Sequence, residues 1–266
     1  MTTSTSTPDS YYERIDEHRY KPTAHAGGAW STDEQHFSPL GGLIVHALDR
    51  HLAGRPAAEM ALGRMSFDIL GRLALDECET RVEVLRPGRT IELVEVTVVI
   101  GGRAVVRARA WLLATLDTGA VAGGGDDRLA DPASLAPWDM ASRWPGGYIA
   151  SLDVRPLAEP LPGRTTAWIS TGLDLVAGEA ASPRASFVTL VDTANGIAVR
   201  ESPTEWMFPN VDLTLHFHRA PRGGWTGLDT TVVFGPTGQG ITSTVLHDVD
   251  GPVGHAQQIL TVRPQP

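Results

Sequence analysis

The sequence predicts an α+β fold built from two similar halves, each with one long helix against an antiparallel sheet. Alternation of apolar and polar residues, which is typical of strands, runs from Met60 to Leu116 and returns in the last part of the chain. One stretch with helical spacing stands before each of these strand regions. The same order of elements therefore occurs twice, and this repetition predicts the architecture.

Two segments carry the helical pattern. In the first, Ser38 stands before Pro39 as an N-cap stands before a first-turn proline, and Gly54 marks the end. Its apolar residues recur at helical intervals: Leu40, Leu43, Ile44, Ala47 and Leu48. The second predicted helix covers 182–200, with apolar residues at the same intervals. We therefore expect long helices at 39–52 and 182–200.

Aligning the two strand regions gives a register for the repeat. The stretch before the first meander ends at Arg72, and its counterpart ends at Arg219. Each is followed by strands and a late glycine turn, at Gly102 or Gly251. This alignment places Arg72 opposite Arg219 and Ala110 opposite Gln258, so that one half keeps a polar residue where the other has alanine.

The domain boundaries follow from composition. Residues 1–10 are rich in serine and threonine and predict a disordered tail. We expect the first unit at 11–117, a glycine- and proline-rich linker at 118–147, and the second unit at 148–266. A helix wrapped by an antiparallel sheet is the hotdog arrangement, so two tandem units predict a double hotdog.

Composition narrows the classes of function. The 266 residues carry a net charge of −9 with Lys21 as the only lysine, a balance that disfavours nucleic-acid binding. No apolar run reaches the roughly 20 residues of a membrane span. Cys78 is the only cysteine, which excludes an internal disulfide and a cysteine metal cluster. We expect a cytoplasmic protein with neither metal nor cofactor; association into a homo-oligomer is left open.

Asp212 and Gln258 are the strongest candidates for catalysis. Asp212 opens a strand, and Gln258 lies in the last strand, with an amide that both donates and accepts hydrogen bonds. No Gly-x-Ser-x-Gly nucleophile motif is present. An acid and an amide on distant strands favour hydrolysis by an activated water. We expect a single site in the second half, between its helix N-terminus and the Asp212 strand.

Several motifs carry a family resemblance: Gly41–Val45 at the helix opening, Val82–Arg89 with the later Gly102-Arg103, and Asp212 with Gln258. With these motifs the chain resembles acyl-CoA thioesterase II and its actinobacterial thioesterase-like relatives. The resemblance implies a double hotdog that binds an acyl-CoA thioester, with Asp212 and Gln258 as the catalytic acid and amide. The family also has a hydroxyl residue in the strand after that of the aspartate. Here Val233 or its neighbours fall at that position, and Thr231 or Thr214 is the substitute.

Substrate contacts are expected from two further groups of residues. Gly41 and Gly42 lie in the helix opening, where backbone N–H groups can receive a developing oxyanion. His216, His218 and Arg219 lie on or beside the Asp212 strand. His216 and His218 share one face of that strand, but spacing gives no third metal ligand, so contact with substrate or packing is favoured over a metal site.

Two other functions compete with thioester hydrolysis. A hotdog enoyl-CoA hydratase is disfavoured because its Asp-x-Asn-Pro-x-His pattern is missing. The other alternative is a non-catalytic acyl-CoA-binding or regulatory protein, which the altered hydroxyl position favours.

Overall fold

The computed structural model describes residues 9–54 and 60–266, so the predicted tail lies mostly outside the described residues. The α-helices are α1 (Phe37–Ala53), α2 (Gly147–Ala150), α3 (Pro183–Val191) and α4 (Ala194–Ile197). The strands are β1 (Ser10–Arg14), β2 (Arg19–Pro22), β3 (Met60–Ile69), β4 (Cys78–Arg86), β5 (Ile91–Ile100), β6 (Arg103–Ala114), β7 (Leu152–Pro156), β8 (Arg164–Thr171), β9 (Asp174–Val176), β10 (Trp206–Met207), β11 (Asp212–Phe217), β12 (Thr226–Phe234), β13 (Gln239–Asp248), β14 (Gly251–Thr261) and β15 (Arg263–Pro264).

Thirteen of the described strands form one sheet in the order β7-β8-β12-β13-β14-β11-β3-β6-β5-β4-β2-β1-β9. Its pairs are antiparallel except β1 with β9. The two halves join where β3 pairs with β11, with Leu213 opposite Phe67. The predicted architecture, an antiparallel sheet with one principal helix in each half, is confirmed.

Helices α1 and α3 pack against each other inside the curved sheet. Gly42 allows this close approach, because a Cβ at that position would overlap the side chain of Thr189 on α3. Every residue of α1 from Phe37 to Leu48 is buried. The two halves therefore meet through their principal helices as well as through β3 and β11.

The second helix is shorter than the predicted 182–200. Ser182 caps α3 by accepting a hydrogen bond from Ala185 N, and the helix ends at Val191. After a break at Asp192 and Thr193, the short helix α4 follows. The break leaves the Asp192 side chain at a helix end, where Gln258 of β14 reaches it.

The register of the two halves is similar over the final hairpin of each. Ile100 pairs with Arg103 at the end of one hairpin, and Asp248 pairs with Gly251 at the end of the other. Ala110 and Gln258 each lie seven residues beyond the second member of these pairs. The predicted equivalence of Ala110 and Gln258 thus agrees with the hairpin register.

The predicted equivalence of Arg72 and Arg219 is displaced by one residue. Arg72 follows the last residue of β3, Ile69, by three positions, whereas Arg219 follows the last residue of β11, Phe217, by two. Both arginines lie beyond the strand ends, where no ladder fixes the register. They also bind different partners, since Arg72 pairs with Asp33 and Glu34 while Arg219 pairs with Asp248.

The segment expected to be the linker, 118–147, packs closely onto the second half. Trp168 Nε1 donates a hydrogen bond to Ala130 O over 2.8 Å. Met140 and Trp144 are almost completely buried, at 2 % and 3 % exposed. This segment therefore contributes to the core and to a cavity beside Asp192.

Candidate active site

Asp192 is the acidic residue at the centre of the site. Its side chain is 6 % exposed at the end of α3. One carboxylate oxygen, Oδ1, accepts hydrogen bonds from Asn210 Nδ2 over 2.8 Å and from Gln258 Nε2 over 2.7 Å. Among the described residues no donor bonds the other oxygen, Oδ2. One oxygen is thus held by two amides while the other is left for a ligand.

Burial strongly affects the ionisation of this carboxyl. It raises the pKa of Asp192 to about 6, although the hydrogen bonds from Asn210 and Gln258 lower it. The two amides carry no charge and therefore compensate only part of the lost hydration. A carboxylate with this pKa is a stronger base than an exposed aspartate and is still mostly ionised at neutral pH.

Gln258 reaches Asp192 from the inner face of β14. The residue is 2 % exposed and lies directly opposite Thr242 on β13. Two buried oxygens, Gln258 Oε1 and Thr242 Oγ1, have no hydrogen-bond partner within the part of the chain that the structure describes. Directly opposite residues of an antiparallel pair lie on the same face of the sheet, so these two oxygens line one small polar region.

Asn210 reaches the same carboxylate because of a shift in strand register. Within β11, Thr214 pairs with Gln257, but just before that strand Asn210 bridges to Leu260. The shift by one residue changes the face toward which the chain directs its side chains. Asn210 thereby lies on the inner side, although alternation from Asp212 would place it outside.

The first turn of α1 forms the opposite side of the site. His36 is the N-cap, and its Nδ1 accepts a hydrogen bond from Ser38 N over 3.1 Å. That Nδ1 lies 3.8 Å from Asp192 Oδ2. Burial lowers the pKa of the His36 imidazole to about 3, so the ring is neutral and carries its proton on Nε2. No positive charge from His36 therefore stabilises the Asp192 carboxylate.

A cavity of about 200 Å³ opens beside Asp192. Its lining combines the polar side chains of His36, Asp192, Asn195 and Asn210 with the apolar side chains of Trp30, Phe37, Leu73, Met140, Trp144 and Ile149. Glu34 and Arg72 also line it and are joined by an ion pair. The cavity lies between the first turn of α1 and the last turn of α3, and the two halves build it together.

Comparison with known families agrees with this arrangement. The N-terminal domain of acyl-CoA thioesterases matches residues 26–113, and the C-terminal domain matches residues 132–262. The chain belongs to the acyl-CoA thioesterase family. The resemblance predicted from the sequence is thereby confirmed, and the enzyme is an acyl-CoA thioesterase. A search of curated protein sequences finds no match.

Solved structures support the same fold for this thioesterase. An acyl-CoA thioesterase II from Mycobacterium marinum is 17% identical, with 96% of this chain and 97% of that chain covered and a TM-score of 0.63. A tesB protein from Mycobacterium avium subs paratuberculosis is 14% identical, with coverages of 95% and 96% and a TM-score of 0.68. A conserved protein with a hot dog fold from Alicyclobacillus acidocaldarius is 12% identical over 100% of both chains, with a TM-score of 0.72. The predicted double hotdog is confirmed.

The thioesterase does not bring Asp212 and Gln258 together as predicted. Asp212 Oδ1 accepts a hydrogen bond from the backbone N–H of Ile259 over 2.6 Å. Continuing the β11–β14 register places Asp212 opposite Ile259, which is 38% exposed on the outer face, whereas Gln258 points inward. Successive residues of a strand face opposite sides, so the two predicted partners lie on different faces of the sheet.

The predicted hydroxyl, Thr231, also lies on the outer face. It is exposed on β12, while its neighbours Thr230 and Val232 are buried. Thr214, the alternative, is half-buried on β11 beside Asp212. The buried hydroxyl opposite Gln258 is that of Thr242, which is not one of the predicted hydroxyls.

The five predicted substrate contacts lie away from the cavity lining. Gly41 and Gly42 are buried at the crossing of α1 with α3, where the missing side chain of Gly42 allows the close approach of the helices. His216 is exposed, and His218 lies within 3.1 Å of Pro252 O. Arg219 holds Asp248 through two hydrogen bonds of 2.6 Å and stabilises the β13–β14 turn. Helix packing explains Gly42, and turn structure explains Arg219.

Asp192 and Asn210 were missed because both lie outside regular strands. One signal was available, since Asp192 is the only acidic residue in the predicted helix 182–200. A lone carboxylate among apolar residues is expensive to bury and therefore indicates a specific partner or a function. Asn210 had no comparable signal, because its inward direction depends on the register shift before β11.

Within residues 9–54 and 60–266, no three His, Cys, Asp or Glu side chains are grouped as metal ligands. Among the helices of those residues, none is long and apolar enough to cross a membrane.

Proposed function

We propose that this thioesterase hydrolyses acyl-CoA with a water that Asp192 activates as general base, while Asn210 and Gln258 hold the carboxylate. The observation that carries the proposal is the asymmetric bonding of Asp192. Two amides fix Oδ1 at 2.8 and 2.7 Å, and Oδ2 has no hydrogen bond among the described residues. A water bound to Oδ2 would lie at the cavity, next to an entering thioester.

The raised pKa of Asp192 suits this role. At a pKa of about 6 the carboxyl is half ionised at pH 6 and almost fully ionised at pH 8. A base with a pKa near the working pH combines a large ionised fraction with a strong tendency to take the proton. Its burial, rather than a nearby charge, supplies this basicity.

Hydrolysis then proceeds in two steps. Asp192 Oδ2 takes a proton as the water oxygen bonds to the thioester carbonyl carbon, and the carbonyl oxygen gains the negative charge. The first turn of α1, which lines the cavity at His36 and Phe37, presents its positive dipole end to this oxyanion. Collapse of the intermediate breaks the C–S bond, and the departing thiolate receives the proton from Asp192.

The chemistry does not require a protein nucleophile. A thioester carbonyl is electrophilic, and a thiolate is a good leaving group because thiols have a pKa of about 8.5. General-base catalysis by one positioned side chain typically contributes about 10²–10⁴-fold to the rate. Asp192 and the water it orients are therefore sufficient for the reaction.

A pair of variants tests this proposal. Asp192→Asn preserves an acceptor oxygen for both amides but removes the base, so turnover of acyl-CoA should fall by about 10²-fold or more. Asp212→Asn is the matched control, because its carboxyl lies on the other face of the sheet and bonds Ile259 N. Release of free thiol from acyl-CoA gives the rate for both variants.

The result that would overturn the proposal is equally direct. If Asp192→Asn kept normal turnover while Asp212→Asn lost it, the base would be Asp212. If the unaltered protein bound acyl-CoA in calorimetry but released no thiol, it would be the non-catalytic binding protein that the sequence left as an alternative.

A further inference from the structure

Aromatic and apolar side chains form one wall of the cavity beside Asp192. Trp30, Met140, Trp144 and Ile149 line it, and the last three are at most 3 % exposed. A thioester whose carbonyl lies at Asp192 would direct its acyl group toward this wall. The wall would therefore limit the size and shape of the acyl group, an argument that rests on the proposed function.

Several contacts hold the wall in one arrangement. The ring centroids of Trp30 and Trp144 are 4.9 Å apart in an edge-to-face geometry, and both rings pack on Phe208. Trp144 Nε1 donates a hydrogen bond to Gly196 O over 3.0 Å. Met140 packs against the same residue, because a Cβ at Gly196 would lie 3.1 Å from Met140 Cε. A long acyl chain cannot extend past this wall without disrupting these contacts.

The cavity volume limits the acyl group further. A cavity of roughly 150 Å³ is large enough to hold one benzene ring, so a cavity of about 200 Å³ accommodates a ring with about two further carbons. A chain of sixteen carbons would need roughly 400 Å³ on the same scale. The space is also smaller than the roughly 300–1,000 Å³ of pockets that enclose drug-sized ligands.

We infer that the enzyme acts on compact acyl groups of about six to eight carbons, and that an acyl group carrying an aromatic ring fits best. Aromatic rings prefer edge-to-face contacts with centroids about 4.5–7 Å apart, which is the geometry already present between Trp30 and Trp144. A flat ring also loses fewer rotatable bonds on binding than a linear chain of equal size.

Hydrolysis of three substrates tests the inference: phenylacetyl-CoA, hexanoyl-CoA and palmitoyl-CoA. We expect kcat/KM for phenylacetyl-CoA to exceed that for palmitoyl-CoA by at least tenfold and that for hexanoyl-CoA by several-fold. Equal or faster hydrolysis of palmitoyl-CoA would overturn the size limit. Faster hydrolysis of hexanoyl-CoA than of phenylacetyl-CoA would overturn the preference for a ring.

Variants of the wall test whether these residues cause the preference. Trp144→Leu and the milder Met140→Ala should each raise the palmitoyl-to-phenylacetyl ratio of kcat/KM by about tenfold. Trp225→Leu is the matched control, because Trp225 contacts Arg155 outside the cavity lining and should leave the ratio unchanged. Thermal unfolding verifies that each variant is folded. An unchanged ratio in folded Trp144→Leu and Met140→Ala would contradict the assignment of the wall.

Failure of this inference is distinguishable from failure of the proposed function. If no acyl-CoA is hydrolysed, the catalytic proposal fails. If Asp192→Asn abolishes hydrolysis but palmitoyl-CoA is the preferred substrate of the unaltered enzyme, the catalytic proposal stands and the compact acyl group is wrong. Calorimetric binding of phenylacetyl-CoA and palmitoyl-CoA to Asp192→Asn gives the preference independently of turnover.

Discussion

The amide nitrogen of Gln258 donates a 2.7 Å hydrogen bond to Asp192 Oδ1, joining the last long strand of the sheet to the end of α3. This bond holds the carboxylate in a region where burial alone would favour its neutral form. An amide stabilises the ionised form without adding a charge, which keeps the pKa of Asp192 in a range useful for general-base catalysis.

Removal of the Gln258 amide should shift the pH dependence of hydrolysis. In the unaltered enzyme, kcat/KM should rise with pH and level off above about 6, because Asp192 must be ionised to take a proton. Gln258→Ala removes a hydrogen bond that lowers the pKa of Asp192. The rise of kcat/KM should therefore move to higher pH, and its plateau value at high pH should fall about tenfold. A pH–rate profile measures both effects.

The matched control for this variant is its neighbour. Gln257→Ala changes an exposed glutamine on the outer face of the same strand and should leave the profile unchanged. A fall in rate without movement of the pH limb would mean that Gln258 serves only to pack the sheet.

Replacement of Asp192 by asparagine should stabilise the protein at neutral pH. Burial raises the pKa of Asp192 from 3.8 to about 6 in the folded state, so ionisation costs more there than in the unfolded chain. The contribution of this group to stability is greatest below pH 3.8 and is lost as the pH rises toward 6. Asp192→Asn removes this cost of ionisation, so its free energy of unfolding should exceed that of the unaltered protein by up to about 3 kcal/mol above pH 6.

Urea unfolding at two pH values checks the sign. The free energy of unfolding of Asp192→Asn should exceed that of the unaltered protein at pH 8, and the difference should shrink toward pH 4. A variant that is less stable at pH 8 would show that the ionised carboxylate stabilises the fold.

Loss of the Thr242 hydroxyl should reduce turnover. Thr242 Oγ1 and Gln258 Oε1 lie on directly opposite residues, and each is buried with no hydrogen-bond partner among the described residues. We expect the hydroxyl to hold the amide through one bridging water, in the orientation that donates to Asp192. Thr242→Val should lower kcat about two- to tenfold, the worth of one ordinary hydrogen bond, with little change in KM.

Thr231→Val is the control for this experiment, because Thr231 is exposed on the outer face. Its kinetics should equal those of the unaltered enzyme. Normal kcat in Thr242→Val, together with a more stable fold, would identify Thr242 as a buried hydroxyl without a positioning role.

Two adjacent glycines of α1 should respond oppositely to alanine. A methyl group at Gly42 would overlap Thr189 where the helices cross, so Gly42→Ala should destabilise the protein by about 1–3 kcal/mol. At Gly41 the nearest atom would be Phe37 Cε1 at 3.6 Å, an ordinary contact. Gly41→Ala should therefore be neutral or gain up to about 1 kcal/mol from helix propensity.

Thermal or urea unfolding of the two variants measures this difference. Equal losses of unfolding free energy in the two variants would indicate that the helix crossing requires both glycines. A loss confined to Gly41→Ala would show that the contact between α1 and α3 differs from the one described.

The sequence by itself determined the long antiparallel strands of both halves and the first helix. These features depend on local periodicity, since a residue of a strand faces the side that its apolar neighbours face. The repeat also determined the correspondence of Ala110 with Gln258, because hairpins of equal length keep an equal register. Motifs spread along the chain identified the thioesterase family.

Only the tertiary structure decided which acid meets Gln258. Asp192 and Asp212 are both distant from Gln258 in sequence, and neither spacing nor alternation distinguishes them. The choice depends on where α3 ends against β14 and on the register shift that turns Asn210 inward. The end of α3 is set by packing of the helix on the sheet, and the direction of Asn210 is set by one displaced bridge. Both depend on contacts between segments that are distant in sequence. Local sequence patterns do not encode such contacts.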